Sequence, residues 1–233
     1  MPCQLPLAQL VDIIAAKPVN LSAVVLASRF IGITTDTRSL KPGEIFLALR
    51  GDKYDGHDFL EVALDKGAIA AITDLQAVEG ARRCAPTIPQ LQVADTLQAY
   101  QQIARWWRNQ FDIPVIAVTG SVGKTTTKEL IAAVLSTQGK VLKTQFNYNN
   151  EIGVPKTLLE LGEEHDYAVI EMAMRGSGQI AQLAQIACPT IGVITNVGTA
   201  HIGLLGSVEA IAQAKCELLA EMPTSSVAVL NHD

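Results

Sequence analysis

Residues 114–135 constrain the fold more than any other stretch of the chain. An apolar run, Pro114-Val115-Ile116-Ala117-Val118, leads into Thr119-Gly120-Ser121-Val122-Gly123-Lys124-Thr125-Thr126, and a helical pattern with apolar residues at Leu130, Ile131, Val134 and Leu135 follows. Strand, glycine loop, Lys-Thr, helix is the order that cradles nucleotide phosphates. Gly120 and Gly123 let backbone N–H groups turn toward an anion with no Cβ in the way. Lys124 is placed to reach the β- and γ-phosphates, and the Thr125 hydroxyl to ligate Mg²⁺. The full GxxxxGK[ST] spacing asks for glycine at position 118, where this chain has Val118. A bare GKT is common by chance. One that follows a β-rich run and opens an amphipathic helix reads as a phosphate loop over 119–126.

The remainder of the second half alternates regularly. Strands are expected at 115–119, 140–143, 167–171, 190–195 and 227–230, and helices at 124–135, 154–161, 179–187 and 207–221. Nearly continuous apolar strands alternating with helices imply a parallel sheet covered on both faces, with ligands at the carboxyl ends of its strands. Three polar clusters fall at such ends, at 147–151, 171–178 and 196–201. The first segment reads as a helix at 5–16 and strands at 31–35, 45–49, 68–73 and 91–93, with turn-forming residues at 41–44 and 51–57. A helix at 96–109 follows Asp95 and carries Trp106-Trp107, a pair read as packing, with one ring turned from the core at a domain junction. Phe111-Asp112-Ile113-Pro114 marks the boundary. The expected class is α/β, a small N-terminal α/β domain over 1–110 followed by a P-loop, parallel-sheet domain over 111–233.

Composition narrows the partners. Of the 233 residues 48% are hydrophobic and 18% charged, and the net charge is −5 with no basic block. A nucleic-acid surface is excluded, since it needs a clustered Lys/Arg footprint. Phosphates must then be met locally, by backbone amides, one or two cations and Mg²⁺. Cys3, Cys84, Cys188 and Cys216 lie far apart without a CxxC, as reduced thiols do. Pro6, Asp12, Lys17 and Pro18 interrupt the N-terminus, and the apolar stretch at 21–27 closes at Ser28-Arg29, too short to cross a bilayer. A cytoplasmic protein without membrane insertion is expected.

Glu171 closes an apolar strand, where a P-loop fold places its metal-binding carboxylate; the alternative is a solvated strand-end glutamate. His201 ends the polar run after the next strand and shares that rim, with a metal-related role or a merely structural one open to it. Lys215 interrupts the apolar stripe Val208, Ile211, Ala212, Leu218, Leu219 and Met222. It either snorkels to solvent or sits in a dry pocket whose desolvation frees a neutral amine able to add CO₂ as a carbamate. Asn147, Asn149 and Asn150 precede a helix start, and serve either as caps or as contacts to nucleotide or substrate.

Together TGSVGKTTTK, NYNNEIGVP, EMAMRGSGQIA, TNVGTAHIGLLGS and IAQAKCEL resemble the central ATPase domain of the Mur ligases. The segment TTDTRSLKPGEIFLALRGDKYDGHDF resembles the UDP-sugar-binding domain of the two Mur ligases that act late in building the peptidoglycan stem peptide. The run EMAMRGSG is similar to the branch that joins D-alanyl-D-alanine to UDP-N-acetylmuramoyl-tripeptide.

The resemblance covers nearly the whole chain and implies a reaction. ATP phosphorylates the tripeptide carboxylate, and the amine of D-Ala-D-Ala displaces phosphate from the acyl phosphate. It also implies roles: ATP on Thr119, Gly120, Ser121, Val122, Gly123, Lys124, Thr125 and Thr126, with Asn149 and Asn150 nearby. Mg²⁺ falls to Thr125 and Glu171, with His201 helping a second ion and Lys215 matching a carbamylated lysine derived from CO₂. Lys124, Lys215 and His201 form the catalytic set, and Thr37, Arg38, Asp55, Gly56 and His57 the UDP-sugar pocket of a monomer. Cys216 departs from the family, standing where glycine is common. Family members also carry a third, C-terminal Rossmann-like domain, whereas this sequence stops at Asp233. The expectation is a fragment that binds UDP-sugar, binds ATP weakly and ligates poorly. Two other readings are a ligase adding the third stem residue to UDP-N-acetylmuramoyl-dipeptide, and a non-catalytic UDP-nucleotide-binding module.

Overall fold

The apolar runs of the sequence become the inner strands of two five-stranded sheets in the computed structural model, which describes residues 3–51, 53–74, 88–200 and 202–232. The chain divides into two units, Met1–Ile103 and Ala104–Asp233, each holding one sheet.

In the first unit β1 (Lys17–Val19), β2 (Ile33–Thr34), β3 (Ile45–Leu47), β4 (Ala70–Asp74) and β5 (Gln90–Val93) lie in the order β1-β5-β4-β3-β2. β2 to β5 pair in parallel and β1 antiparallel on β5. β3, β4 and β5 are buried throughout, as strands covered on both faces must be. Phe46, Ala48, Leu60, Ala63, Ala71 and Ile88 pack as one core cluster. β1 has no counterpart among the expected strands, because Pro18 argues against a strand interior. It is accommodated at the sheet edge, where the missing N–H costs no ladder bond. The first helix, Leu7–Ile13, is shorter than expected: Pro6 starts it, and the chain turns left-handed at Ala15 (φ 48°). A helix at Leu60–Asp65, absent from the expected elements, buries Leu60 and Ala63.

The second unit is wholly parallel. β6 (Val115–Thr119), β7 (Val141–Lys143), β8 (Tyr167–Glu171), β9 (Ile191–Ile194) and β10 (Val227–Leu230) take the order β10-β9-β6-β8-β7. β6 is central: the chain runs from it to β7 and β8 on one side, then crosses to β9 and β10 on the other. A ligand crevice is therefore expected beyond its carboxyl end, between the ends of β8 and β9. Helix Lys124–Leu135 packs on Ile116, Val118 and Val169 through Ala132, Ile131 and Leu135. Leu130 and Val134 face outward, 63% and 68% exposed, so the apolar stripe is narrower than the sequence pattern suggested.

Helix Thr96–Arg108 ends within the second unit. Trp107 Nε1 donates to the Leu161 carbonyl at 3.0 Å and its ring meets Phe111 edge-on at 5.2 Å. Arg108 is buried and donates to the carbonyls of Ala187, Phe111, Ile113 and Cys188 at 2.7–3.4 Å. Its burial lowers the guanidinium pKa.

Candidate nucleotide and metal site

The loop between β6 and helix Lys124–Leu135 turns through two glycines with positive φ, Gly120 at 151° and Gly123 at 85°. At Gly120 a Cβ would drive into Thr195 Oγ1, so only glycine fits there. Gly123 caps the helix in the left-handed conformation, leaving the first-turn amides pointing outward at the positive end of the helix dipole. No acidic side chain occupies that first turn. Thr119 Oγ1, at the base of the loop, is buried without a hydrogen-bond partner among the described residues. The Lys124 ammonium rests on the Gly120 carbonyl at 2.8 Å.

Residues after β9 brace this loop. Asn196 Oδ1 accepts from the Ser121 and Val122 amides at 3.1 and 2.9 Å, and Thr195 Oγ1 donates to the Val122 carbonyl at 2.6 Å. Ser121 Oγ accepts from the Gly198 amide at 2.9 Å. Thr195 and Asn196 have no place among the site residues expected from sequence. Their position at a strand end beside the loop is the one signal that marks them.

Three side chains meet at the end of β8. Glu171, 2% exposed, accepts from Thr125 Oγ1 on one carboxylate oxygen at 2.9 Å and from Asn149 Nδ2 on the other at 2.7 Å. Its own amide donates to Thr144 Oγ1 at 2.9 Å, tying the strand end to the end of β7. The neighbouring asparagines divide the work: Asn149 faces Glu171, whereas Asn150 Oδ1 accepts from the Gly153 amide at 2.9 Å, at the start of helix Gly153–Leu158. Thr126 lies exposed in the first turn of helix Lys124–Leu135. Hydroxyl, carboxylate and amide are hard oxygen donors of the kind a divalent cation such as Mg²⁺ takes together with phosphate oxygens and water. Among the described residues no three His, Cys, Asp or Glu side chains gather as a metal cluster. His201 lies outside the described residues.

Lys215, on helix Val208–Ala220, is 1% exposed and lies in the buried stripe with Ile211, Ala214 and Leu218. Burial, and secondarily the charge of Lys124, lower its pKa to about 8. Two residues on, Glu217 reaches across to the turn before helix Gln179–Ala187, accepting from the Gly178 and Ala181 amides at 2.6 and 3.1 Å. That bond fixes the helix bearing Lys215 against the loop that follows β8.

A separate cavity of about 540 Å³ opens in the first unit at the carboxyl ends of β2 and β3, lined by Thr35, Thr37, Arg38, Phe46, Tyr54 and Gly56 among others. Arg38, 89% exposed, makes a two-pronged pair with Asp36. Gly56 fits only as glycine, since a Cβ would press on the backbone of Ala48 and Leu49 at 2.8 Å. Asp55 and His57 hold this wall from behind: His57 Nε2 accepts from the Asp74 amide at 3.1 Å, so Nδ1 carries the proton donated to Asp55 at 2.5 Å. Asp74 in turn receives two hydrogen bonds from Arg50, at 2.7 and 3.0 Å.

A glycine loop at the switch point of a parallel sheet, with a hydroxyl–carboxylate pair beside it, defines a P-loop-type α/β domain. Residues 118–233 match the Mur ligase middle domain, and residues 29–108 match the Mur ligase family, catalytic domain. The chain belongs to the Mur ligase family.

It is 66% identical over 205 residues to the UDP-N-acetylmuramoyl-tripeptide–D-alanyl-D-alanine ligase of Synechocystis sp., covering 88% of this chain and 44% of that protein. The crystal structure of MurF from Acinetobacter baumannii superposes with a TM-score of 0.89 at 34% identity, over 100% of this chain and 49% of that one. MurF ligase from Thermotoga maritima, solved in complex with ADP, gives 0.78 at 33% identity, over 86% and 45%. The chain thus spans about half the length of the relatives it matches.

Proposed function

We propose that this chain provides the UDP-sugar-binding and ATP-binding portions of a ligase that joins D-alanyl-D-alanine to UDP-N-acetylmuramoyl-tripeptide. The observation that carries this reading is the meeting of Thr125, Glu171 and Asn149 beside a phosphate loop, with a buried, low-pKa lysine on the adjoining helix. The names of the relatives supply the substrates, and the ADP complex of one of them supports nucleotide binding.

ATP would lie with its phosphates on the amides of 119–126, and Mg²⁺ would be held by Thr125 and Glu171, neutralising charge on the phosphoryl oxygens. Lys124 leaves the Gly120 carbonyl to follow the transferring γ-phosphoryl. The tripeptide carboxylate attacks phosphorus and ADP departs, leaving an acyl phosphate. The amine of D-Ala-D-Ala then attacks the acyl carbon, loses a proton and expels inorganic phosphate. Lys215, partly neutral near pH 8, would take up CO₂ with loss of a proton, becoming an anion suited to a second Mg²⁺ with His201. The UDP end would occupy the first-unit cavity, its phosphates near Thr37 and Arg38. A reaction drawing on ATP and a soluble UDP-linked precursor would belong in the cytoplasm. Among the described residues no helix is long and apolar enough to cross a membrane.

Calorimetry with UDP-N-acetylmuramoyl-tripeptide, the corresponding dipeptide compound and UDP alone tests the substrate. Tightest binding of the tripeptide compound, with ATP-dependent phosphate release on adding D-Ala-D-Ala, is the expected result. Preference for the dipeptide compound would instead indicate addition of the third stem residue.

A further inference from the structure

Lys128 is buried as completely as Lys215, 1% exposed, on the same helix face as Ile131, Ala132 and Leu135. Its ammonium donates to the Thr144 carbonyl at 2.8 Å, lies 2.9 Å from Glu129 Oε1, and stands 4.0 Å from Glu171 Oε2. Glu129 is shared, because Lys143 also pairs with it. Thr144 closes the arrangement by accepting the Glu171 amide through its hydroxyl. The Glu171 carboxylate therefore meets Thr125 and Asn149 directly, with the Lys128 ammonium 4.0 Å from the same oxygen that accepts from Thr125. At 4.0 Å that charge is too far to be the hydrogen bond that orients the carboxylate, and near enough to offset its field.

We propose that Lys128 is a positioning residue that couples metal entry to nucleotide entry. The inference rests on the assignment of Thr125 and Glu171 to Mg²⁺. Lys128 and Lys143 balance Glu129 and Glu171, so the patch offers a bare divalent cation no net negative charge. Lys124 adds a further positive charge at the loop. The ion settles only when phosphate oxygens arrive with it. Without Lys128 the same carboxylate, still held by Thr125 and Asn149, would attract the ion alone.

The test uses Mn²⁺ as the probe on the 233-residue chain, with free ion counted by electron paramagnetic resonance in the presence and absence of ADP. In the unaltered chain Mn²⁺ should bind with ADP and at least about tenfold more weakly without it. Lys128→Met should tighten metal-only binding by about tenfold or more, while Lys128→Arg keeps the original pattern. Loss of an inert structural lysine would not strengthen metal binding, so tightening separates the two roles. Unchanged metal-only binding in a folded Lys128→Met chain that still takes Mn²⁺ with ADP would overturn the proposal alone. So would equal Mn²⁺ affinity with and without ADP in the unaltered chain, a measurement that needs no variant. Failure of the unaltered chain to bind Mn²⁺ even with ADP would remove the metal assignment and the proposal with it.

Discussion

Thr125 and Glu171, 46 residues apart in sequence, are joined by a 2.9 Å hydrogen bond from hydroxyl to carboxylate, between the first turn of helix Lys124–Leu135 and the end of β8. The bond holds in register the two groups assigned to the metal. In Thr125→Val the carboxylate loses that donor and the metal loses a ligand. ADP affinity measured with Mg²⁺ should fall by about tenfold to a hundredfold, the equivalent of about 1–3 kcal/mol, and affinity in EDTA should stay the same. Equal losses under both conditions would remove Thr125 from the metal.

Lys215 makes stability depend on pH. Its pKa falls from 10.5 to about 8 on folding, so the unfolded chain holds the proton over a range where the folded chain has released it. Stability should rise as pH climbs between those values, with the whole cost present below about pH 8. Lys215→Met should therefore be more stable than the parent at pH 7 by roughly 3 kcal/mol, an advantage that closes toward pH 10.5 in urea titrations. In ¹³C-bicarbonate near pH 8 the parent should show a carbamate carbon signal absent from Lys215→Met. A parent without that signal would dismiss the carbamate.

Gly120→Ala should destabilise the second unit. The backbone stands at φ 151° and the added methyl meets Thr195 Oγ1. A cost of about 2–4 kcal/mol is expected in thermal or urea unfolding, with ADP binding impaired as well, since Thr195 also fastens the loop at Val122. A variant as stable as the parent would show that the loop relaxes freely.

Arg108→Met should be costly despite its distance from the phosphate loop. Four backbone carbonyls lose their donor in an interior that offers little water. About 3 kcal/mol of stability should disappear in urea unfolding, compared with well under half of that for an exposed arginine such as Arg105.

Arg38→Ala should leave the melting temperature unchanged, because the side chain is open to solvent, and should weaken UDP binding by about tenfold. Unaltered UDP affinity would move the diphosphate elsewhere.

The phosphate loop was legible because its chemistry is local: glycine spacing, a Lys-Thr pair and flanking hydrophobic periods are all written within a few turns. Glu171 and Lys215 were legible for a related reason, one polar residue breaking an apolar rhythm. Lys128 breaks such a rhythm as well, yet Leu130 and Val134 widened the apparent helix stripe and hid it. Asn149 and Asn150 are chemically identical, and only the backbone path decides which caps a helix and which meets the carboxylate. The hold of Arg108 on carbonyls up to 80 residues away exists only in three dimensions. The edge strand Lys17–Val19 is only three residues long and contains Pro18, so it carries no alternating apolar pattern to read.

The position of β6 at the middle of its sheet carries a consequence for biosynthesis. Its neighbours on either side, Tyr167–Glu171 and Ile191–Ile194, are translated about 50 and 75 residues later. A nascent chain thus exposes the glycine turn well before anything exists to clamp it, and long-range parallel pairing of this kind assembles slowly. Competence to hold ADP should appear abruptly, when synthesis passes Gly198 and the last brace locks, and not gradually as the polypeptide lengthens.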